Sequence, residues 1–462
     1  MSNCHKFAAN ITHLEGFLRR QCFPYPLLSL YFKLAIQPVS LCYHEVKYFA
    51  LIDYHLLLNR KINRKKQLAS SGFSESLFSA NVVKKIMNND PYDLVVVGAG
   101  PAGALAAAMA AEAGFKTAIL EQKSLPRPKL CGGLISARAL SLLPADFCLP
   151  EAEATAVLHF TIAHKNRRYR YQAEKPLGLT IKRDRFDQLL SAYASQKGAI
   201  LLEEAVLNGV EMGGSKAGQR PTNYIIHFRK EREQQTINTR YLIAADGALS
   251  RCAELGGIDR RRRKKICGWG LSEIIPEEAL RAGAPDNLPQ LEFFPLPYQG
   301  GMGWTFHGKG WLNRGVGGLC GRKTLLKAFN RLFGKAPAEK TLKSWPLPFL
   351  GPVSRVANNN LLLIGDAAGL VEPFSGEGLY NCFKSAGLAV QAIRETKTAG
   401  FDAAVAYNRL FKVHFRRYFL PTLAGTVMLQ AQSLFYPSAV PQQIARLIEN
   451  RMWFNDQNFD LR

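Results

Sequence analysis

The sequence predicts an α/β protein with a Rossmann-like dinucleotide-binding domain, an inserted antiparallel-sheet domain and a C-terminal helical region. Three stretches carry that expectation. Residues 93–121 read DLVVVGAGPAGALAAAMAAEAGFKTAILE: an apolar run, a Gly98-x-Gly100-x-x-Gly103 turn, a run of small residues and a second apolar run ending on Glu121. Tyr241-Leu-Ile-Ala-Ala runs into Asp246-Gly247, and Leu361-Leu-Leu-Ile runs into Gly365-Asp366. Both read as buried strands that return the chain to the sheet of the first.

In the first stretch each residue type meets a physical need. Gly98 permits the tight strand-to-helix turn, Gly100 lets backbone approach a pyrophosphate, and Gly103 lets the helix lie close on the sheet. The helix N-terminus offers free N–H groups and the positive end of its dipole to phosphates. Glu121, at the tip of the second strand, is placed to accept hydrogen bonds from a ribose.

After this cradle, Ser124 to Gly133 reads SLPRPKLCGG, a loop whose prolines prevent continued helix or strand. Residues 156–181 alternate as strands, and Arg183 opens a helix expected to reach about Lys197. Residues 199–243 read as a meander with a polar hairpin near Gly213–Gly218. Residues 266–320 are strand-rich and aromatic, with Trp269, Phe293, Phe294, Trp304, Phe306 and Trp311. Those rings serve either sheet packing or an apolar pocket, for which Trp304 and Phe306 are the candidates. The glycine-rich stretch Gly308–Gly321 reads as strand with close backbone approach. A small-residue helix is expected from about Gly378 to Ala399, its positive end beside Asp366 and suited to a negatively charged group. Residues 402–462 read as helical, as either a packed cap or a surface resting on a membrane.

The chain has 462 residues, 47% hydrophobic, enough for a sizeable core in two or three domains. Its formal net charge of +24 suits an anionic partner. No RNA or DNA module signature accompanies that charge, so nucleic acid is not the expected partner. Nine Cys without CxxC pairs argue against a disulfide framework or a metal site and for a reducing, cytoplasmic compartment. Residues 1–86 are basic and aromatic without a clean period. Their most apolar stretch, about Cys22–Tyr43, is broken by Pro24, Pro26, Lys33 and Pro38, which makes it a poor spanning helix. The expectation is an extension that is poorly ordered or precedes a true start at Met87, with a transit or membrane-surface segment as the alternative.

The cradle, Asp246-Gly247 and Gly365-Asp366 together resemble the flavoproteins built like para-hydroxybenzoate hydroxylase. Within that group, three elements are most similar to the geranylgeranyl reductase family: the Lys129-Leu-Cys131-Gly132-Gly133 loop, Arg183-x-x-Phe186-Asp187, and the tract GDAAGLVEPFSGEGL from Gly365 to Leu379. The family's Tyr-x-Trp-x-Phe-Pro motif reads Met302-Gly-Trp304-Thr-Phe306-His307 here, keeping Trp and Phe. The resemblance implies FAD as cofactor, held at Gly98, Gly100, Gly103, Ala104, Glu121, Gly132, Gly133, Arg183, Asp366, Gly378 and Leu379. It implies an FAD-binding domain of residues 87–150, 180–255 and 355–400, a substrate domain of 151–179 and 256–354, and a helical region of 401–462. It also implies saturation of prenyl double bonds on a prenyl lipid or prenyl diphosphate, with contact at a membrane surface. A monooxygenase on the same fold is the alternative.

A prenyl alkene has no carbonyl to polarise, so its reduction by hydride needs proton delivery to the other carbon. Cys131 is the candidate donor or donor-positioning group, a thiol being a modest acid close behind the cradle; the competing reading is a small residue packed under the flavin. No second complete glycine fingerprint follows a strand, so the electron donor is expected to be NAD(P)H bound without its own domain, or a reduced redox protein. The run Arg260–Lys265 is either a solvated loop or a landing place for such an anionic partner.

Overall fold

A computed structural model describes residues 91–416, apart from residues 165, 214–222, 256–257, 259–266, 280–289, 297–300, 335–341, 350–354, 374 and 400–401. The extension, the hairpin tip, the Arg260–Lys265 run and everything after residue 416 lie outside the described residues.

The nucleotide-binding sheet has five parallel strands: Tyr92–Val97, Thr117–Leu120, Ile200–Leu202, Glu233–Ala244 and Leu361–Leu363. Taken in chain order, they lie side by side as third, second, first, fourth, fifth. Chain order therefore reverses between Tyr92–Val97 and Glu233–Ala244, the point where an open α/β sheet leaves a crevice beyond its strand ends. Thr117–Leu120 and Leu361–Leu363 are buried at every position, as strands covered on both faces must be. Glu233–Ala244 shows both regimes along one strand. Its outer half pairs antiparallel with Asn223–Lys230 and alternates in burial, whereas Tyr241–Ala244, inside the parallel sheet, is wholly buried.

The helix Pro101–Glu112 is buried on nearly all sides because it is mostly alanine and glycine. Such a surface lets it pack between Arg183–Gln196 and Leu379–Ala399, where larger side chains would hold three helices apart. The Arg183 helix ends at Gln196, within a residue of the expected end, and Leu379–Ala399 matches its expected span.

A second sheet has seven strands in the order Lys343–Pro348, Cys267–Pro276, Trp311–Gly318, Met302–Gly308, Leu291–Pro295, His159–His164 and Arg167–Gln172. It is antiparallel except where Leu291–Pro295 runs parallel to His159–His164. One face carries Leu271, Val316 and the Glu273–Arg314 ion pair and is covered by the helix Arg322–Phe333 through Leu325, Ala328 and Phe329. Sequence reading gave no helix there, although Leu325, Ala328, Phe329 and Leu332 recur at helical spacing. The other face carries Trp304, Phe306, Trp311 and Asn313. A three-stranded sheet of Leu134–Ser136, Gly178–Ile181 and Ala154–Val157 completes the architecture. Among the described residues no helix is long and apolar enough to cross a membrane.

Candidate active site

The turn after the first strand is closed by backbone. Gly98 takes φ +102°, and a Cβ there would lie 2.4 Å from the Ala245 carbonyl oxygen; at Gly103 it would lie 2.0 Å from the Gly98 carbonyl oxygen. Gly100 is different, with only the tip of Arg127 within 4 Å, at 3.8 Å. The glycines thus divide their work: two let the strand, the helix and the Ala245-Asp246 turn touch, and the third leaves a gap at the helix N-terminus. No acid occupies the first helical turn to compete for that positive end. Ala104, fully buried, donates its N–H back to the Gly100 carbonyl. An open Gly100 beside uncapped N–H groups fits the pyrophosphate of a dinucleotide.

Glu121 is 3% exposed, and its carboxylate accepts from Ala99 N–H at 3.0 Å and from Lys123 N–H at 3.2 Å. Arg127, which sequence reading did not single out, pairs with it at 3.1 Å and reaches Asp187 at 3.5 Å. Asp187, buried completely, holds Arg183 through Oδ1 at 2.9 Å and Oδ2 at 3.4 Å. A chain of alternating charge therefore runs Glu121, Arg127, Asp187, Arg183 along the cradle. Burial alone would lower the pKa of Arg183, but the Asp187 carboxylate, which it bonds, and the nearby Cys131 sulfur raise it.

Cys131 sits where several elements meet. Its sulfur accepts from Gly133 N–H at 3.5 Å and lies close enough to Arg183 to act on it electrostatically, and its carbonyl accepts from the Asn313 amide at 3.0 Å. Gly132 and Gly133 lie hard against the aromatic face of the second sheet. A Cβ on Gly132 would come 2.5 Å from the Phe306 ring, and one on Gly133, where φ is +90°, 2.7 Å from Trp311. Trp304 and Phe306 are therefore neighbours of the thiol loop, as are Trp311 and Asn313. The glycines at 308 and 315 explain how these indoles fit, since Cβ atoms there would stand 2.1 Å from Trp311 and 2.4 Å from Trp304.

The late tract closes the site. Gly365 takes φ +55° with Ala102 of the cradle helix and Cys382 both 3.0 Å from where its Cβ would be, so this turn lies directly on the cradle. Asp366 stands beside Gly378 and pairs with Lys129 of the thiol loop at 3.6 Å; Lys129 in turn lies over the Trp345 ring. Leu379, buried, begins the helix. Burial pushes the Cys382 thiol well up, and Asp366, Arg183, Lys129 and Asp187 all act on it electrostatically. The Gly365 turn against Ala102 and the Lys129–Asp366 pair bring the cradle, the thiol loop and the late tract together around that buried sulfur. Glu377, also missed in the sequence, is gripped by Ser136 and by Arg138, which stacks on Tyr380. That grip ties the Gly376–Gly378 turn to the strand that follows the thiol loop.

Comparison with known proteins gives the same family of folds. The family model described as "FAD binding domain" matches residues 91–300. Digeranylgeranylglycerophospholipid reductase 1 of Methanopyrus kandleri is 31% identical over 339 residues, 67% of this chain and 83% of that protein. The Methanocaldococcus jannaschii digeranylgeranylglycerophospholipid reductase is 26% identical over 359 residues, 75% of this chain and 88% of its own. Among solved structures, a geranylgeranyl bacteriochlorophyll reductase-like protein from Thermoplasma acidophilum shares the fold with a TM-score of 0.61 and 24% identity. The match covers 77% of this chain and 99% of that one.

Proposed function

Because the chain belongs to the geranylgeranyl reductase family of FAD-dependent oxidoreductases, we propose that it saturates carbon–carbon double bonds in the prenyl chain of a lipid or diphosphate, with Cys131 as proton donor. The observation that carries this reading is the position of the thiol loop. Cys131 faces a buried arginine on one side, while the two glycines after it press on Phe306 and Trp311.

FAD, when bound and reduced, supplies hydride to one alkene carbon. The residues that would hold it are Gly98, Gly100, Gly103 and Ala104 at the pyrophosphate, Glu121 at the ribose, Asp366 at the ribityl chain, and Gly132, Gly133, Arg183, Gly378 and Leu379 nearer the ring. The chain supplies the remaining needs. Trp304, Phe306 and Trp311 supply apolar surface beside the thiol loop, where an isolated alkene is more stable than in water. The Cys131 thiol gives its proton to the second carbon, and Arg183 and Gly133 N–H stabilise the negative charge then left on sulfur. Solvent restores that proton, and two electrons per bond enter from NAD(P)H or a reduced redox protein. A cytoplasmic protein resting on a membrane surface would meet such substrates, and its positive charge favours anionic headgroups.

With dithionite as reductant under anaerobic conditions, the flavin-loaded protein is expected to add two mass units per double bond to a prenyl lipid, read by mass spectrometry. Oxygen uptake coupled to a hydroxylated product would instead mark a monooxygenase and end this reading. Cys131→Ala is expected to keep its flavin, because Gly133 keeps its carbonyl bond to Ile181 N–H and both loop glycines keep their packing on Phe306 and Trp311, and to turn over about a hundredfold more slowly. Parental rates in that variant would remove the thiol from the reaction.

A further inference from the structure

Asn313 is 1% exposed, and both halves of its amide are engaged, one by the second sheet and the other by the thiol loop. Its Oδ1 accepts from the Trp304 indole N–H at 2.7 Å, and its Nδ2 donates to the Cys131 carbonyl at 3.0 Å. The strand geometry makes this arrangement specific. Asn313 lies opposite Phe306 across the Met302–Gly308 and Trp311–Gly318 pair, and Trp304 lies opposite Gly315. Side chains two apart share a sheet face, so Trp304, Phe306, Trp311 and Asn313 all point towards the thiol loop. Asn313 is the amide in that row, between three rings. Because the Trp304 N–H fixes which end of the amide accepts, it also fixes which end faces Cys131.

We propose that Asn313 is a positioning residue that sets Cys131 through its carbonyl and links the orientation of the thiol loop to that of Trp304. The link to turnover rests on Cys131 acting as proton donor; the positioning itself does not. Cys131 has no other tether of this kind on its main chain among the described residues, since the sulfur contacts of Arg183 and Gly133 leave the carbonyl untouched. A loop rich in glycine gains most from such a tether, having little side-chain packing to restrict its backbone.

The test compares flavin-loaded Asn313→Asp, Asn313→Leu and Cys131→Ala proteins with the parent. Asn313→Asp keeps an acceptor for Trp304 and turns an oxygen towards the Cys131 carbonyl; Asn313→Leu removes both bonds at similar volume. The first readout is the rate of iodoacetamide alkylation at Cys131 alone, followed on its peptide by mass spectrometry so that other thiols do not contribute. The second is the split between kcat and KM. Alkylation is expected to change by about threefold or more in both Asn313 variants, and kcat to fall about tenfold with KM within about twofold. If Asn313→Leu does not fold, Asn313→Asp decides the matter. Alkylation rates within about twofold of the parent in the folded variants overturn the proposal, whatever happens to turnover. Changed alkylation with parental turnover in both Asn313→Asp and Cys131→Ala keeps the positioning and removes Cys131 as proton donor.

Discussion

Gly103→Ala is expected to yield a destabilised protein without bound flavin, whereas Gly100→Ala is expected to fold as the parent does and still lose the cofactor. The difference follows from what each added methyl would meet. At Gly103 it would lie 2.0 Å from the Gly98 carbonyl oxygen and 2.9 Å from the Ala245 Cβ. Neither neighbour is the end of a flexible side chain, so the helix must lift from the sheet, at a cost of about 1–3 kcal/mol for a forced core. Lifting it also withdraws the N–H groups that would face a pyrophosphate. At Gly100 the nearest atom is the Arg127 guanidinium at 3.8 Å, an ordinary contact, and φ is −72°, which alanine adopts freely. The methyl there costs the fold nothing and occupies the gap that a phosphate needs. Absorbance at 450 nm relative to 280 nm reports flavin, and thermal unfolding of the apoproteins reports the fold. A Gly100→Ala protein that kept its flavin would show that the gap is not where the cofactor sits.

The features readable from the sequence are those whose physical cause is local. The cradle depends on a strand, a turn and a helix within thirty residues, and each announces itself by apolar runs or by glycine. The same holds for the strands that end at Ala244 and Leu363 and for the Leu379–Ala399 helix. Close backbone approach over Gly308–Gly321 was also readable, but its purpose was not. That Gly308 and Gly315 seat the Trp311 and Trp304 indoles depends on strand register, which no single segment encodes. Arg127, Asn313 and Glu377 escaped notice for a related reason. Each owes its role to a partner far along the chain: Asp187 for Arg127, Cys131 for Asn313, Arg138 for Glu377. The Arg183–Asp187 pair lay nearer to hand, since four-residue spacing at a helix start places both side chains on one face. What the spacing withheld is that the pair is buried, and burial is what turns a weak surface contact into a strong constraint.

That burial makes Asp187→Ala the substitution with the largest expected effect on stability. Asp187 is fully buried and engages Arg183 with both carboxylate oxygens and Arg127 with one. Removing it leaves the Arg183 guanidinium, itself 7% exposed, with no carboxylate partner among the contacts described for it. Breaking a buried pair in this way costs about 3–5 kcal/mol. Arg127 suffers less, because Glu121 still holds it at 3.1 Å. Replacing both members, as Arg183→Leu with Asp187→Leu, removes the uncompensated charge and is expected to recover much of the stability, since apolar pairs of similar volume often match a buried ion pair. Stability and function should then part company. The double variant is expected to unfold near the parent's temperature while its turnover stays low, because the donor facing the Cys131 sulfur is gone. Thermal unfolding and steady-state rates on both variants make the separation visible. If the double variant regained parental turnover along with its stability, the ion pair would be a packing element with no part in the reaction, and the charge on sulfur would have to be stabilised by Gly133 N–H alone.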